Sequence, residues 1–321
     1  MKKMLNKKNI FTALFVLAIY GVLFALVQAG VLSRHFQSLL VPVGVNIILA
    51  VSLNLTVGFL GELTLGHAGF MSVGAYAGCL FTLNSTLPMA IRFPLGMLIG
   101  GLVAAVFGII IGIPALRLKG DYLAIVTLAF GEIIRSVVTN LTITGGAGGL
   151  KKIPKDSTYT IVFIVAVITV VIISNLVKSR HGRAICAIRD NVIAAESAGI
   201  NVVYYKLLAF TVAAFFAGVA GVLYGHNLGI LKPDTFDFNK SIEILVIVVL
   251  GGMGSIRGSI LSAIIVTVLP EVLRGMEDYR MLAYAIVLIV IMLLNASPRF
   301  AALKNKLIHK SGKKAKKGEV A

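Results

Sequence analysis

The chain has 321 residues, of which 58% are hydrophobic and 13% charged, with a mean hydropathy of +0.96. That apolar content is more than a soluble fold can hide, so the composition excludes one and makes lipid the solvent for most of the molecule. The formal net charge of +17 comes from Lys and Arg in short clusters between apolar runs, a pattern of membrane topology rather than of a basic nucleic-acid-binding face.

In chain order, apolar runs near the length needed to cross a bilayer cover Ile10 to Gly30, Leu39 to Leu60, Leu95 to Ile113, Tyr159 to Val177, Leu207 to Gly225 and Met281 to Asn295. The first follows Lys2, Lys3, Lys7 and Lys8 and resembles a secretory signal, with Val27-Gln28-Ala29 as a nominal cleavage site. Its run of about twenty residues is longer than a signal core of roughly 7 to 15, so an uncleaved first helix is expected. With the amino terminus inside, twenty Lys and Arg fall on the inner side and nine on the outer, with Arg135 within a helix. Positive charge favours cytoplasmic loops, so this bias supports cytoplasmic termini.

The second run is interrupted by glycine at Gly58 and Gly61 and leads into the glycine-rich stretch Leu63 to Leu83. A cytoplasmic tail requires an even number of crossings, so Ser241 to Val272 must turn back on itself. The break that permits this contains Gly251, Gly252, Gly254 and Gly258, where glycine weakens the helix. Two interrupted segments near opposite ends of a transporter-like chain point toward a central path; equally, small residues there permit close helix packing. The expected fold is an all-α polytopic transmembrane bundle with about ten membrane segments, some short or broken. Residues 1–9 are expected to form a cytoplasmic tail, 10–298 one transmembrane domain with a polar loop at about 179–203, and 299–321 a basic cytoplasmic tail.

Several polar residues sit inside apolar runs, where they are expensive and often functional. Glu132 and Arg135 are three apart on a predicted helix, where they either pair with each other or line a path. His67 faces a cavity or bonds a backbone carbonyl. Asn54, Thr64, Ser72 and Thr127 offer amide or hydroxyl groups to a zwitterion, and the sequence does not rank them.

The polar segment from Ser179 to Asn201 is the most informative. Good helix formers from Ala184 to Ala198 predict one short helix stopped by Gly199. Ala187, Ala194, Ala195 and Ala198 would let a partner approach closely, and Arg189, Asp190 and Glu196 supply charged contacts. An ordinary amphipathic surface helix is the plain alternative. No phosphate-binding loop, His-Glu-x-x-His or Gly-x-Ser-x-Gly motif is present, so no catalytic residue, metal site or enzyme activity is expected. Cys79 and Cys186 show no metal spacing or disulfide framework and are read as ordinary packing residues.

Ala194-Ala195-Glu196 with Gly199, followed by a hydrophobic helix, resembles the coupling loop of ABC importer permeases. Leu53 to Gly58, Leu65 to Phe70, Leu118 to Leu128, Thr144 to Leu150, Ala187 to Asn191 and Gly251 to Gly254 occur in an order similar to that of LivM-type permeases of branched-chain amino acid importers. The resemblance runs from about residue 40 to 300. Two departures are visible: Ala195-Glu196-Ser197-Ala198 replaces an uninterrupted Glu-Ala-Ala, and Lys151, Lys152 and Lys155 make an outer loop unusually basic. The basic loop suits either an acidic binding protein or plain solvation.

The resemblance implies translocation of Leu, Ile and Val across the bacterial cytoplasmic membrane. The implied partners are a second related permease in a heterodimer, two ATP-binding-cassette ATPases and an extracytoplasmic amino-acid-binding protein. It implies that ATP and Mg are held by the ATPases, with no cofactor on this chain and no nucleic-acid partner. Coupling would fall to Arg189, Asp190, Asn191, Ala194, Ala195, Glu196 and Gly199. Related permeases carry urea, short amides or aromatic acids, and an ion-coupled secondary transporter is the further alternative.

Overall fold

A computed structural model describes residues 34–273 except Lys119, with isolated positions on either side. The predicted crossings Ile10 to Gly30 and Met281 to Asn295 lie largely outside the described residues, and the two tails lie wholly outside them.

The described chain is helical, with one isolated antiparallel bridge between Leu150 and Leu231. Its helices are α1 (Arg34–Asn54, prolonged by a π-helical turn Leu55–Leu60), α2 (His67–Asn84), α3 (Met89–Ala115), α4 (Asp121–Asn140) and α5 (Tyr159–Lys178). Two short helices follow, α6 (Arg180–Asp190) and α7 (Val192–Ser197), then α8 (Val202–Leu228), α9 (Phe238–Gly251) and α10 (Ile256–Val272). Five described helices are long and apolar enough to cross a membrane: Phe36–Leu60, Met89–Ala115, Asp121–Asn140, Tyr159–Lys178 and Val202–Leu228.

Side-chain caps explain where many of these helices begin, because the first backbone N–H groups of a helix lack intrahelical partners. Ser179 accepts from Gly182 N at 3.3 Å, Asn201 from Tyr204 N at 3.0 Å, Asp237 from Lys240 N at 3.0 Å and Ser255 from Gly258 N at 3.1 Å. The last two mark the starts of α9 and α10, which form the hairpin expected from parity. With 14 and 17 residues, these helices rise only about 21 and 26 Å.

One expectation requires correction. The segment from Ala184 to Ala198 is not a single helix: α6 starts earlier, at Arg180, and stops at Asp190. Asn191 adopts extended backbone (φ −160°, ψ 110°) and its side chain accepts from Ala194 N at 3.0 Å, starting α7. Helix propensity favoured continuation, but Asn competes with a helix by capping a new one. The glycine stop is present: Gly199 has φ +80°, and Ile200 N donates back to Ala195 O at 3.0 Å.

The core centres on α1 and α8. Helix α8 packs on α1, α2 and α3, while α1 also meets α5, α9 and α10. Gly74 and Gly218 face each other so closely that a side chain on either meets the other's backbone or the α3 residues behind it. Small residues bring helices together where lipid supplies no hydrophobic drive. Helices α3, α4 and α5 lie at the periphery, each with one exposed face.

The bundle has two distinct ends. At one end lie α6, α7, the stretch after α1 and the α9–α10 turn. At the other, Leu150 and Leu231 exchange N–H···O bonds of 2.9 Å, and Tyr76 Oη donates to Leu231 O at 3.0 Å. Arg92 Nη2 there donates to Asp156 Oδ2 at 2.7 Å, and His226 Nε2 meets Thr82 Oγ1 at 3.0 Å. Cys79 is buried and Cys186 half-buried, both as free thiols.

Candidate functional site

The α6–α7 residues and the glycine breaks singled out in the sequence lie together at one end of the bundle, whereas Glu132, joined through Arg135 to Asp234, lies toward the other. Helix α6 buries Gly182, Ala184, Ile185 and Ile188. Ile185 and Ile188 pack with Leu55, Phe59 and Leu60 after α1 and with Val202 and Ala209 on α8. This fixes α6 as a rigid extension of the bundle. Helix α7 is held through Ala195, which is 4% exposed, and the half-buried Val192, while Ile193 is 76% exposed. Asp190, Asn191, Ala194, Glu196 and Gly199 are all exposed, so this tip presents one apolar side chain inside a polar rim.

Arg189 joins the tip to the membrane helices. Its Nε and Nη2 donate to Asp190 Oδ1 at 3.0 and 2.9 Å, and Nη1 donates to the carbonyl of Gly58 at 3.2 Å. Its methylenes lie over Gly61, where an added Cβ would be 2.7 Å from Arg189 Cγ. Gly61 also has φ +81°, a left-handed conformation that glycine adopts without penalty.

The second glycine break meets the first at the same place. Gly254 N donates to Asn54 Oδ1 at 2.8 Å, and Asn54 Nδ2 donates to Ser259 Oγ at 2.9 Å. Gly58 sits against Asn54 and Gly254, leaving no room for a side chain. Of the other glycines in the α9–α10 break, Gly251 packs against Gly258 and Gly252 is open, with φ +87°. The two breaks therefore pack on each other, at one end of the bundle.

The non-helical stretch from Gly61 to Gly66 is a hub. Glu62 and Lys206 form a buried ion pair, with side chains 15% and 8% exposed, tying the stretch to α8. Leu65 N donates to Thr127 Oγ1 at 3.0 Å on α4, and Ala68 N at the start of α2 donates to Ser241 Oγ at 3.3 Å on α9. Four helices, α4, α6, α8 and α9, thus bond to the residues between Gly58 and Ala68.

The six polar residues considered for a path fare differently. Asn54 is committed to Gly254 and Ser259. Thr64 accepts from Gly66 N at 3.4 Å, and Thr127 donates to Ala124 O at 3.0 Å while accepting from Leu65 N. His67 is 2% exposed; its Nε2 meets Ser52 Oγ at 2.9 Å, which itself donates to Leu49 O at 3.0 Å, and the imidazole also hydrogen-bonds the Leu49 backbone. Glu132 pairs with Arg135 at 2.8 Å. Ser72 is 1% exposed and its hydroxyl has no partner among the described residues.

Lys206, Ser241 and Ser259 did not stand out in the sequence. Lys206 was legible as a charge within an apolar helix. The serines carry no such signal, because only the fold brings them to the hub.

Residues 36–295 match the family described as branched-chain amino acid transport system / permease component. The chain is 36% identical to the high-affinity branched-chain amino acid transport system permease proteins LivM of Salmonella typhimurium and Escherichia coli, over 86% of this chain and 72% of each relative. It is also 28% identical to the permease protein LivH of Salmonella typhimurium, over 42% of this chain and 44% of that protein. No solved structure matches it.

Proposed function

This chain belongs to the permease family of branched-chain amino acid transport systems, and we propose from that premise that it is a translocation subunit of an ATP-driven importer for Leu, Ile and Val. The observation that carries the mechanism is the Arg189 link between the exposed α6–α7 tip and the backbone of Gly58. A groove on a partner ATPase takes Ile193, with Asp190, Asn191, Ala194, Ala195, Glu196 and Gly199 around it. ATP and Mg act on that partner; this chain supplies only conformational change.

Movement of the tip is carried by Arg189 into the Gly58 to Gly66 stretch, and from there through Thr127 to α4 and through Ser241 to α9. Coupling requires a contiguous element with two arrangements, and a non-helical hub bonded to several helices suits that role. Ser72, with its uncommitted hydroxyl between these layers, is the strongest of the sequence-derived candidates for contact with the passing substrate. The α6–α7 end faces the cytoplasm, consistent with Lys178, Arg180, Arg183 and Arg257 there. The second permease is a LivH-like chain, two ATPases complete the complex, and a binding protein delivers substrate at the far end. The relatives with 36% identity over 86% of the chain are branched-chain amino acid permeases, which favours those substrates over urea or amides.

The test is copurification of the tagged chain from mild detergent. Recovery of a second permease and two ATPases, with ATP hydrolysis stimulated by leucine-loaded binding protein, supports the reading. A chain that purifies alone and still transports overturns it.

A further inference from the structure

Three peripheral helices expose a face, and one of the three faces is chemically unlike the others. Between Ile164 and Ile172, α5 exposes only aliphatic side chains, and between Leu98 and Ile110 so does α3. These are ordinary lipid-facing surfaces. Helix α4 exposes Ile125, Ile133 and Val137, but also Ser136, and beside them lies a charged group. Arg135 Nε donates to Glu132 Oε2 at 2.8 Å and Nη1 to Asp234 Oδ1 at 3.3 Å. The side chains of Arg135, Glu132 and Asp234 are 35%, 37% and 80% exposed.

Depth makes this arrangement informative. At 1.5 Å per residue, Glu132 lies about 12 Å and Arg135 about 7 Å below the Asn140 end of α4. Ionised side chains at such depth are costly against hydrocarbon and face water or protein instead. They are too exposed in this chain to be covered by its own described residues. Asp234 sits in the short turn Pro233–Phe236 that leads into α9, so the charged group continues to the end of the bundle opposite α6 and α7.

We propose that this face of α4 lines the translocation path, and that Glu132, Arg135 and Asp234 form a charged collar that receives the zwitterionic head of the amino acid. The inference rests on the importer reading and adds a substrate contact to it. The substrate carboxylate pairs with Arg135, whose Nη2 is uncommitted among the described residues, and its ammonium pairs with Glu132 and Asp234. The aliphatic side chain lies on Ile133 and Val137, one helical turn apart on the same face. Exchange of an internal ion pair for the ends of a zwitterion keeps every charge compensated as the substrate passes.

The test uses the reconstituted complex with its permease partner, ATPases and binding protein. Ser136→Cys and Val137→Cys, in a Cys186→Ser background that leaves only the buried Cys79, are expected to react with a charged, membrane-impermeant thiol reagent. Ile168→Cys on α5 is expected to react only with an apolar maleimide. Glu132→Gln and Arg135→Gln are expected to lower leucine transported per ATP by tenfold or more, with ATPase stimulation by loaded binding protein kept within twofold. Reaction of Ser136→Cys with the apolar reagent alone overturns the proposal. So does unchanged transport per ATP, or parallel loss of ATPase stimulation and transport, which marks the pair as structural. Should the complex lack an ATPase, the importer reading fails, while the labelling still reports whether the face is wet.

Discussion

Arg189 and Gly58, 131 residues apart in the chain, are joined by a 3.2 Å hydrogen bond from the guanidinium Nη1 to the backbone carbonyl. A charged donor serves a main-chain acceptor at the point where α1 gives way to irregular structure. Hydrogen bonds to charged groups contribute roughly 1.5–3 kcal/mol. Arg189→Gln is therefore expected to reduce transport by roughly tenfold or more while leaving the amount of protein in the membrane unchanged. Uptake and membrane abundance, measured together, check this, and wild-type uptake counts against the linkage.

Gly61 and Gly199 form a matched pair of left-handed glycines, with φ +81° and +80°, that differ in surroundings. A Cβ at Gly199 meets nothing within 4 Å, whereas at Gly61 it meets Arg189 Cγ at 2.7 Å. Alanine at either position carries the left-handed penalty of roughly 1–2 kcal/mol. Gly61→Ala is expected to lower the thermal midpoint in detergent more than Gly199→Ala does, and Arg189→Ala combined with Gly61→Ala to recover the difference. Equal shifts for the two single variants would show that the contact has no weight.

The Glu62–Lys206 pair is buried on the lysine side and largely withdrawn from solvent on the glutamate side. Removing one partner of a buried pair leaves an uncompensated charge and costs about 3–5 kcal/mol. Lys206→Met alone is expected to destabilise the protein strongly, and adding Glu62→Gln to restore at least half of the loss. Thermal unfolding of the two variants and the double variant reads the coupling directly; additive losses would argue against a direct pair.

Glu196 is exposed on α7 and forms no salt bridge among the described residues. Glu196→Lys should leave folding intact and weaken retention of the ATPases, seen as a lower ATPase-to-permease ratio after purification. An unchanged ratio together with full stimulated hydrolysis removes this residue from the docking surface.

Ser255 caps α10 and is exposed in the turn after α9. Ser255→Cys is expected to be labelled by an impermeant reagent only from the cytoplasmic side. Labelling from outside alone reverses the topology of the bundle.

The sequence made four of the five described crossings, the hairpin at Gly251 to Gly258 and the polar α6–α7 segment legible, because each leaves a local mark in apolar run length, glycine or polarity; the crossing Asp121–Asn140, whose apolar run is broken by Glu132 and Arg135, is not among the apolar runs. It did not show what the glycines at Gly58 and Gly254 are for. Their contact depends on two helices whose register only the folded bundle sets, and Asn54 is the residue that spans them. Asn191 was misread for the opposite reason. Its local capping chemistry outweighed a run of good helix formers on both sides. Glu132 and Arg135 were legible as a pair, but not as a pair that stays half exposed.

The hydrogen bond from Gly254 to Asn54 spans 200 residues and so also sets a timetable for assembly. At about 5–20 residues per second, Asn54 waits on the order of 10 to 40 s after its own synthesis before Gly254 exists. An amide that emerges this early within an apolar helix must meanwhile bond to water, to the translocation machinery or to neighbouring helices. Biogenesis therefore proceeds through a half-made permease whose first helices are present while the contact between its two glycine breaks is still open.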